Sequence, residues 1–190
     1  MKIKNVIEES IEVKQRLLSD KNMLERIQKV IDECTNCFRN GGKILFCGNG
    51  GSAADAQHLA AELTGRFYYD RKPLYAEALH VNTSALTAVA NDYSYDEVFS
   101  RQVLAKGKKG DILIGLSTSG NSPNVLNALL EARQEEMVTI GLTGEKGGKM
   151  KDMCDYLINV PSNDTPRIQE AHILIGHIIC EMIEFNIFPK

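Results

Sequence analysis

The chain has 190 residues, a length typical of one domain with a substantial core. Apolar residues make up 43% of it and charged residues 25%, which is the profile of an ordinary soluble globular protein. The net charge of -3 offers no bulk electrostatic attraction for nucleic acid, and no apolar run approaches the length of a membrane span. We therefore expect neither nucleic acid nor a membrane as a partner.

The N-terminal segment, about residues 1–40, is charged and has helical periodicity. Its first residues lack the apolar core of a secretion signal, which predicts a cytoplasmic protein. Apolar residues recur at helical spacing over 3–39, with a break near Ser19–Asp20 and a glycine stop after Asn40. We expect two helices here.

The cysteines also indicate a reducing compartment, because their number is odd and they show no framework spacing. They are Cys34, Cys37, Cys47, Cys154 and Cys180. The first two form a C-x-x-C, which raises the alternative of a redox or metal site. Since that motif lies inside a helical pattern, two packed thiols are the better interpretation.

The rest of the chain alternates short apolar runs with helical patterns. The apolar runs lie at 43–48, 111–117, 138–144 and 156–161, with a weaker one at 75–81. Because they are continuous, they are typical of strands buried on both faces of a parallel sheet. Helical patterns lie at 52–65, 84–91, 96–106, 123–136, about 147–153 and 166–185. This alternation predicts an α/β fold, a three-layer α/β/α sandwich with a doubly wound sheet, as a single domain over 1–190.

Two loops that follow predicted strands are candidates for phosphate binding. The stretch "GNGGS" at 48–52 follows the first strand, and we expect Ser52 to cap the next helix with Asp55 three residues on. The stretch "STSGNSPN" at 117–124 ends in Ser122–Pro123, a helix start. Free backbone N–H groups at such helix starts favour phosphate.

The second loop is the stronger candidate, because it carries more hydroxyls than capping needs. They belong to Ser117, Thr118, Ser119 and Ser122. Ordinary turn chemistry is the alternative for both loops, and it competes more closely for the first. Neither loop matches a nucleotide-binding motif, so we expect a small phosphorylated molecule and no nucleotide cofactor.

The helix after the first loop carries a candidate acid–base pair. His58 and Glu62 are four residues apart and therefore share one helix face, with Arg66 one turn further. A surface charge pair is the alternative. The alanines and leucines around the pair predict a largely buried helix, and buried His and Glu side chains need partners or a function.

The last helical pattern carries a second polar cluster. Gln169, Glu170, His172 and His177 interrupt a strongly apolar run there. The two histidines are five residues apart, which places them about 140° apart around a helix. They therefore cannot share one face, so one can be functional while the other packs or faces solvent. From the residues alone, a structural histidine is the default interpretation for each.

Together these segments resemble those of the sedoheptulose 7-phosphate isomerases, or phosphoheptose isomerases, within the sugar isomerase (SIS) fold class. The motifs that carry the resemblance are, in order, "CGNGGSAADAQH", "AELTGR", "ANDY", "FSRQV", "LIGLSTSGNSPNV", "GLTGEKGGKM" and "RIQEAHILIGH". They run essentially from end to end. The resemblance implies a flavodoxin-like sheet preceded by N-terminal helices that pack in the oligomer. It also implies a homotetramer with active sites between subunits.

The resemblance further implies roles for individual residues. Glu62 corresponds to the base and His177 to the acid. The substrate phosphate would lie against Ser117, Thr118, Ser119 and Ser122. The rest of the substrate would contact Asn49, Gly50, Gly51, Ser52, Glu62, Arg66, Asn91, Asp92 and Gln169. Some members bind zinc, through residues that correspond to His58, Glu62, Gln169 and His177.

The implied reaction converts D-sedoheptulose 7-phosphate to D-glycero-D-manno-heptose 7-phosphate through an enediolate, at the start of ADP- or GDP-heptose biosynthesis. Two alternatives stay open. A related non-catalytic scaffold binds a bacterial replication initiator, but it lacks the Glu and His that stand here as Glu62 and His177. The other is an isomerase of a different sugar phosphate, because the residues of the two loops do not indicate how many carbons the sugar has.

Overall fold

The computed structural model describes residues 1–190 and contains one five-stranded parallel sheet. The strands are β1 (Ile44–Gly48), β2 (Ala76–Ala78), β3 (Ile112–Leu116), β4 (Val138–Thr143) and β5 (Tyr156–Asn159). Their order is β2-β1-β3-β4-β5, with every neighbouring pair parallel. The five predicted strands are therefore confirmed. The order reverses between β1 and β3, which is where open α/β sheets bind ligands.

Seven helices surround the sheet, together with 3₁₀ turns at Tyr95–Glu97 and Gly148–Asp152. The helices are α1 (Lys2–Ser19), α2 (Lys21–Arg39), α3 (Gly51–Thr64), α4 (Thr83–Asp92), α5 (Ser100–Lys106), α6 (Pro123–Gln134) and α7 (Thr165–Ile187). The predicted helix over 96–106 is thus divided, and the one near 147–153 is a 3₁₀ turn. None of the helices is both long and apolar enough to cross a membrane.

The core lies in two layers, one on each side of the sheet. Alternate strand residues such as Ile44 and Ile114 pack against α1, α2, α3 and α7. Their neighbours, such as Leu45 and Leu113, pack against α5 and α6. This division confirms the predicted three-layer sandwich, because strands covered on both faces are apolar throughout.

The break between α1 and α2 also lies where the sequence predicts it. Asp20 is the N-cap of α2, and its carboxylate accepts a hydrogen bond from the Met23 N–H at 3.0 Å. The α2 helix then ends at Arg39, before the left-handed Gly41 at φ +77°. The C-x-x-C lies within α2 as two buried free thiols, Cys34 and Cys37. Burial raises the pKa of the Cys37 thiol to about 12, so it is un-ionised at neutral pH.

Candidate active site

Three side chains from α3 and α7 converge where these two helices lie side by side. The Nε2 atom of His58 lies 3.2 Å from Glu62 Oε1 and 2.8 Å from His177 Nε2. The two rings meet edge to face, with centroids 5.0 Å apart. At 2.8 Å one ring nitrogen donates a hydrogen bond to the other. The structure therefore joins the predicted base Glu62, the predicted acid His177 and His58 in a single cluster, which contains three of the four predicted metal ligands.

These side chains meet because α3 and α7 run side by side in the same direction. A Cβ on Gly51 would lie 2.5 Å from the Gln169 side chain, and a Cβ on Gly176 would lie 2.5 Å from Leu59. The number of residues between the two contacting positions is almost the same at both contacts, as it must be for two helices that run in the same direction. Only glycine permits this approach, so Gly176 sets the helix separation that His177 needs to reach His58.

The predicted burial of the His58–Glu62 pair is wrong for the single chain. The side chain of His58 is 47% exposed and that of Glu62 is 24% exposed. The buried face of α3 is instead formed by residues such as Leu59 and Leu63, which pack on the sheet core. Counting apolar residues overestimates burial here, because Ala54 lies on the open side of the helix.

The start of α3 also differs from the prediction. Ser52 is not the N-cap, since the helix begins at Gly51 and the N-cap position is Gly50 at φ +56°. Only glycine adopts that backbone conformation without strain, and the N-cap lies two residues before the predicted serine cap. Ser52 is therefore buried in the first turn. Asp55 has no capping role.

Asp55 lies near His58 and His177 of the cluster. The prediction that Asp55 supports a helix cap missed this. Its Oδ2 atom is buried and has no hydrogen-bond partner. Burial raises the pKa of Asp55, while the nearby His58 and His177 act in the opposite direction. The sequence signal was its position three residues before His58, on the same helix face.

The serine loop, residues 117–122, gathers hydroxyls at the start of α6. Ser122 is the N-cap and Pro123 follows it, as predicted. The Ser117 hydroxyl lies 2.9 Å from that of Ser122 and 3.4 Å from that of Ser119. The Ser122 hydroxyl makes no capping bond, so besides its contact with Ser117 it has the capacity to bond another group at this positive helix end.

The serine loop packs against the glycine-rich loop that follows β4. Gly120 has φ +65°, and a Cβ there would lie 2.1 Å from the Gly147 carbonyl oxygen. The Gly144 N–H donates to the Thr118 carbonyl at 3.0 Å. A cavity of about 270 Å³ lies beside these loops. Its lining includes Thr118, Ser119, Gly144, Lys146 and Thr165.

An amide pair joins the two predicted ligand loops. Asn49 donates to Asn124 Oδ1 at 2.8 Å, and Asn124 donates back to Asn49 Oδ1 at 2.9 Å. The Tyr95 hydroxyl also donates to Asn49, at 3.2 Å. Neither Asn124 nor Tyr95 was predicted from the sequence. The available signal was a polar residue, Asn124, in the buried first turn of an otherwise apolar helix.

Three predicted substrate residues lie outside these hydrogen-bonded groups. Arg66 is exposed just after α3 ends. Asn91 and Asp92 are exposed in the last turn of α4, where Asn91 donates to Asp92 at 2.9 Å. The C-cap of α4 is Tyr93, so neither Asn91 nor Asp92 occupies the C-cap position.

The chain matches the family model described as "SIS domain" over residues 7–144. It is 53% identical over 188 residues to "Phosphoheptose isomerase" of Burkholderia pseudomallei, covering 99% of this chain and 95% of the relative. The protein of the same name from Aneurinibacillus thermoaerophilus is 53% identical over 186 residues, covering 98% and 94%. The solved phosphoheptose isomerase GmhA of Neisseria gonorrhoeae superposes with a TM-score of 0.90 at 48% identity, covering 96% and 97%.

Fold, sheet order and the family model place the chain in the SIS domain family. Within that family, its identity to full-length relatives shows that it belongs to the phosphoheptose isomerases, which are aldose–ketose isomerases. The resemblance noted in the sequence motifs is therefore confirmed.

The other histidine of α7, His172, is a packed residue, which confirms that only one of the two faces the cluster. It is 0% exposed, and its Nε2 lies 3.2 Å from the Thr143 carbonyl oxygen. Burial lowers the pKa of His172 to about 4, so the folded protein holds it neutral.

We expect this buried histidine to make the protein sensitive to mild acid. Between pH 6.5 and pH 4 the unfolded state binds a proton at His172 that the folded state does not, so stability falls as pH falls. The loss is about 2 kcal/mol from pH 6.5 to pH 5. The His172→Gln variant removes that part of the loss, which urea unfolding at both pH values and one protein concentration would measure. An identical pH dependence in parent and variant would contradict this assignment.

Proposed function

We propose that the protein converts D-sedoheptulose 7-phosphate to D-glycero-D-manno-heptose 7-phosphate, the first step of ADP- or GDP-heptose biosynthesis. The observation that carries the proposal is the cluster of His58, Glu62 and His177, which places a carboxylate and imidazoles within hydrogen-bond reach. The family supplies the reaction type, and the substrate is supported by the similarity to phosphoheptose isomerases over nearly their whole length.

Glu62 is the proposed base. It removes a proton from C1 of the ketose, and the electron pair forms the C1–C2 double bond of the enediolate. His177 is the proposed acid and protonates O2. To complete the reaction, His177 takes the proton from O1, while Glu62 returns its proton to C2, which gives the aldehyde at C1. General acid–base catalysis of this kind typically contributes roughly 10²–10⁴-fold.

The proposed phosphate site is the serine loop. Ser117, Thr118, Ser119 and Ser122 offer hydroxyls there at the positive end of α6. The proposed contacts of the sugar portion come from both sides of the sheet switch point and from α7. They are Asn49, Gly50, Gly51, Ser52, Glu62, Arg66, Asn91, Asp92 and Gln169.

The cluster also fits a zinc ion. Donor atoms of His58, Glu62 and His177 all lie within 4.8 Å of one another, and two imidazole nitrogens with one carboxylate oxygen are a common catalytic zinc set. Gln169, on the same helix as His177, is the proposed fourth ligand. When bound, zinc would polarise the substrate oxygens as a Lewis acid.

The first experiment follows aldose formation from sedoheptulose 7-phosphate. We expect turnover by the parent and a loss of at least roughly 10²-fold in kcat for Glu62→Gln and for His177→Ala, because each variant removes one proton-transfer group. Glu136→Gln is the matched control: it alters an exposed carboxylate paired with Lys109, and it should keep full activity. Full activity in Glu62→Gln would refute the assignment of the base.

The same assay separates the alternatives. Turnover of a pentose or hexose phosphate in place of the heptose would favour an isomerase of another sugar phosphate. If the folded, zinc-supplied protein turns over none of the sugar phosphates, the result would favour the scaffold that binds a replication initiator. The grouping of Glu62 with His58 and His177 in space argues for the enzyme.

We further propose a cytoplasmic homotetramer whose sites lie at subunit interfaces. The five free cysteines support a reducing compartment. An apolar stripe on α1, formed by Ile3, Ile7 and Ile11, is exposed at helical spacing. Such a stripe suits burial against another subunit, and so does the open side of the His58–Glu62 face.

Charging this stripe should disrupt assembly. We expect the double variant Ile7→Glu/Ile11→Glu to lose the tetramer, because the interface would then bury unpaired carboxylates. Asn5→Glu adds a charge to an exposed position on another face of α1 and should leave assembly unchanged. Light scattering after size-exclusion chromatography measures the mass. A tetramer that survives the double substitution would place the interface elsewhere.

A further inference from the structure

A buried ion pair lies just beyond the cluster, where α3 ends. Arg71 Nε donates to Glu184 Oε2 at 2.9 Å. Their side chains are 2% and 1% exposed, which makes this the most buried ion pair in the chain. The two residues are 113 positions apart, and they connect the segment after α3 to the last turns of α7.

Arg71 binds the end of the helix that carries the proposed base. Its Nη2 donates to the backbone carbonyl of Glu62 itself at 2.9 Å. Its Nη1 donates to the carbonyls of Leu63 at 2.6 Å and Gly65 at 3.0 Å. These carbonyls belong to the last turn of α3 and its C-cap Gly65, where they have no partner within the helix, and a positive charge there is favourable.

Glu184 binds the adjacent backbone and lies on the face of α7 that carries His177. Its carboxylate accepts from the N–H groups of Phe67 at 2.9 Å and Tyr68 at 2.8 Å. Burial raises the pKa of Glu184, but these N–H groups and Arg71 outweigh burial and lower it, so the carboxylate is ionised. Seven residues separate Glu184 from His177, which is two helical turns on one face.

Phe67 connects the ion pair to the proposed acid, His177. Its N–H is held by Glu184, and its ring packs 5.8 Å from the His177 ring, centroid to centroid. The ion pair therefore touches the backbone of the proposed base on one side. On the other side it fixes the ring that packs against the proposed acid.

We propose that Arg71 and Glu184 are positioning residues for the proposed isomerase site, holding Glu62 in register with His177. This inference rests on the proposed function. A buried ion pair is weak evidence for stability alone, because desolvation offsets much of the attraction between its charges. Here almost every donor and acceptor is used to join the two helices that supply the site.

The chain offers a matched control. Lys43 and Asp111 form a second buried ion pair, with side chains 11% and 5% exposed, at the amino edge of β1 and β3. Asp111 also accepts from backbone N–H groups, those of Lys43 and Lys108. It contacts none of the proposed site residues.

The test compares Glu184→Gln and Arg71→Lys with Asp111→Asn in the full-length protein. Glu184→Gln keeps the size but removes the charge, and Arg71→Lys keeps the charge but loses the planar donor array. We expect both to lower kcat by about 10–100-fold with KM changed less than about twofold, and to weaken zinc binding by a similar factor, as partners of site residues do. Asp111→Asn should lower stability yet keep kcat and zinc affinity.

If Glu184→Gln and Arg71→Lys behave like Asp111→Asn, losing stability but not kcat, the positioning role is overturned. A parent without sedoheptulose 7-phosphate turnover would instead refute the proposed function. In that case a crystal structure of either variant decides the positioning role separately. Displacement of the His177 ring from its position 2.8 Å from His58 supports it, and an unchanged pair of rings overturns it.

Discussion

The close parallel packing of α3 on α7 is the contact on which the site depends. It is possible because Gly176 has no side chain where it faces Leu59. A Cβ at Gly176 would lie only 2.5 Å from the Leu59 side chain. His58 and Glu62 on one helix then face His177 on the other. Neither helix alone carries all three side chains of the cluster. The proposed chemistry of this protein therefore depends on the helix interface.

This interface is fixed at several points along its length. Gln169 lies against the Gly51 backbone at one end, and the Arg71–Glu184 ion pair joins the helices at the other. The Asn49–Asn124 amide pair joins the loops after β1 and β3, which carry other proposed substrate contacts. A reaction that moves a proton between adjacent carbons needs groups held in place, and rigid elements supply that better than mobile loops.

Much of the fold was predictable from local pattern. Continuous apolar runs identified all five strands, and Ser122–Pro123 identified the start of α6. The N-cap of α3 was predicted two residues late, because Gly50 with its positive φ is the cap and Ser52 lies in the first turn. The burial of the α3 face that carries His58 was overestimated. The spacing of residues along a helix indicates which side chains share a face, but it does not indicate whether another element covers that face.

The features that sequence reasoning missed share one physical cause. Asn124 bonds a residue 75 positions away, and Arg71 bonds one 113 positions away, so no local periodicity can reveal either pair. Asp55 was noticed but assigned to a cap, because its surroundings include His177 from a distant helix. Tertiary contacts decide the role of a polar residue in such cases, and local sequence reports only its type.

The most direct test of this account is a crystal structure of the Glu62→Gln variant with sedoheptulose 7-phosphate bound. The account predicts the phosphate against the serine loop and carbons C1 and C2 between the residue 62 side chain and His177. A sugar phosphate bound with its C1 and C2 remote from both side chains would contradict it.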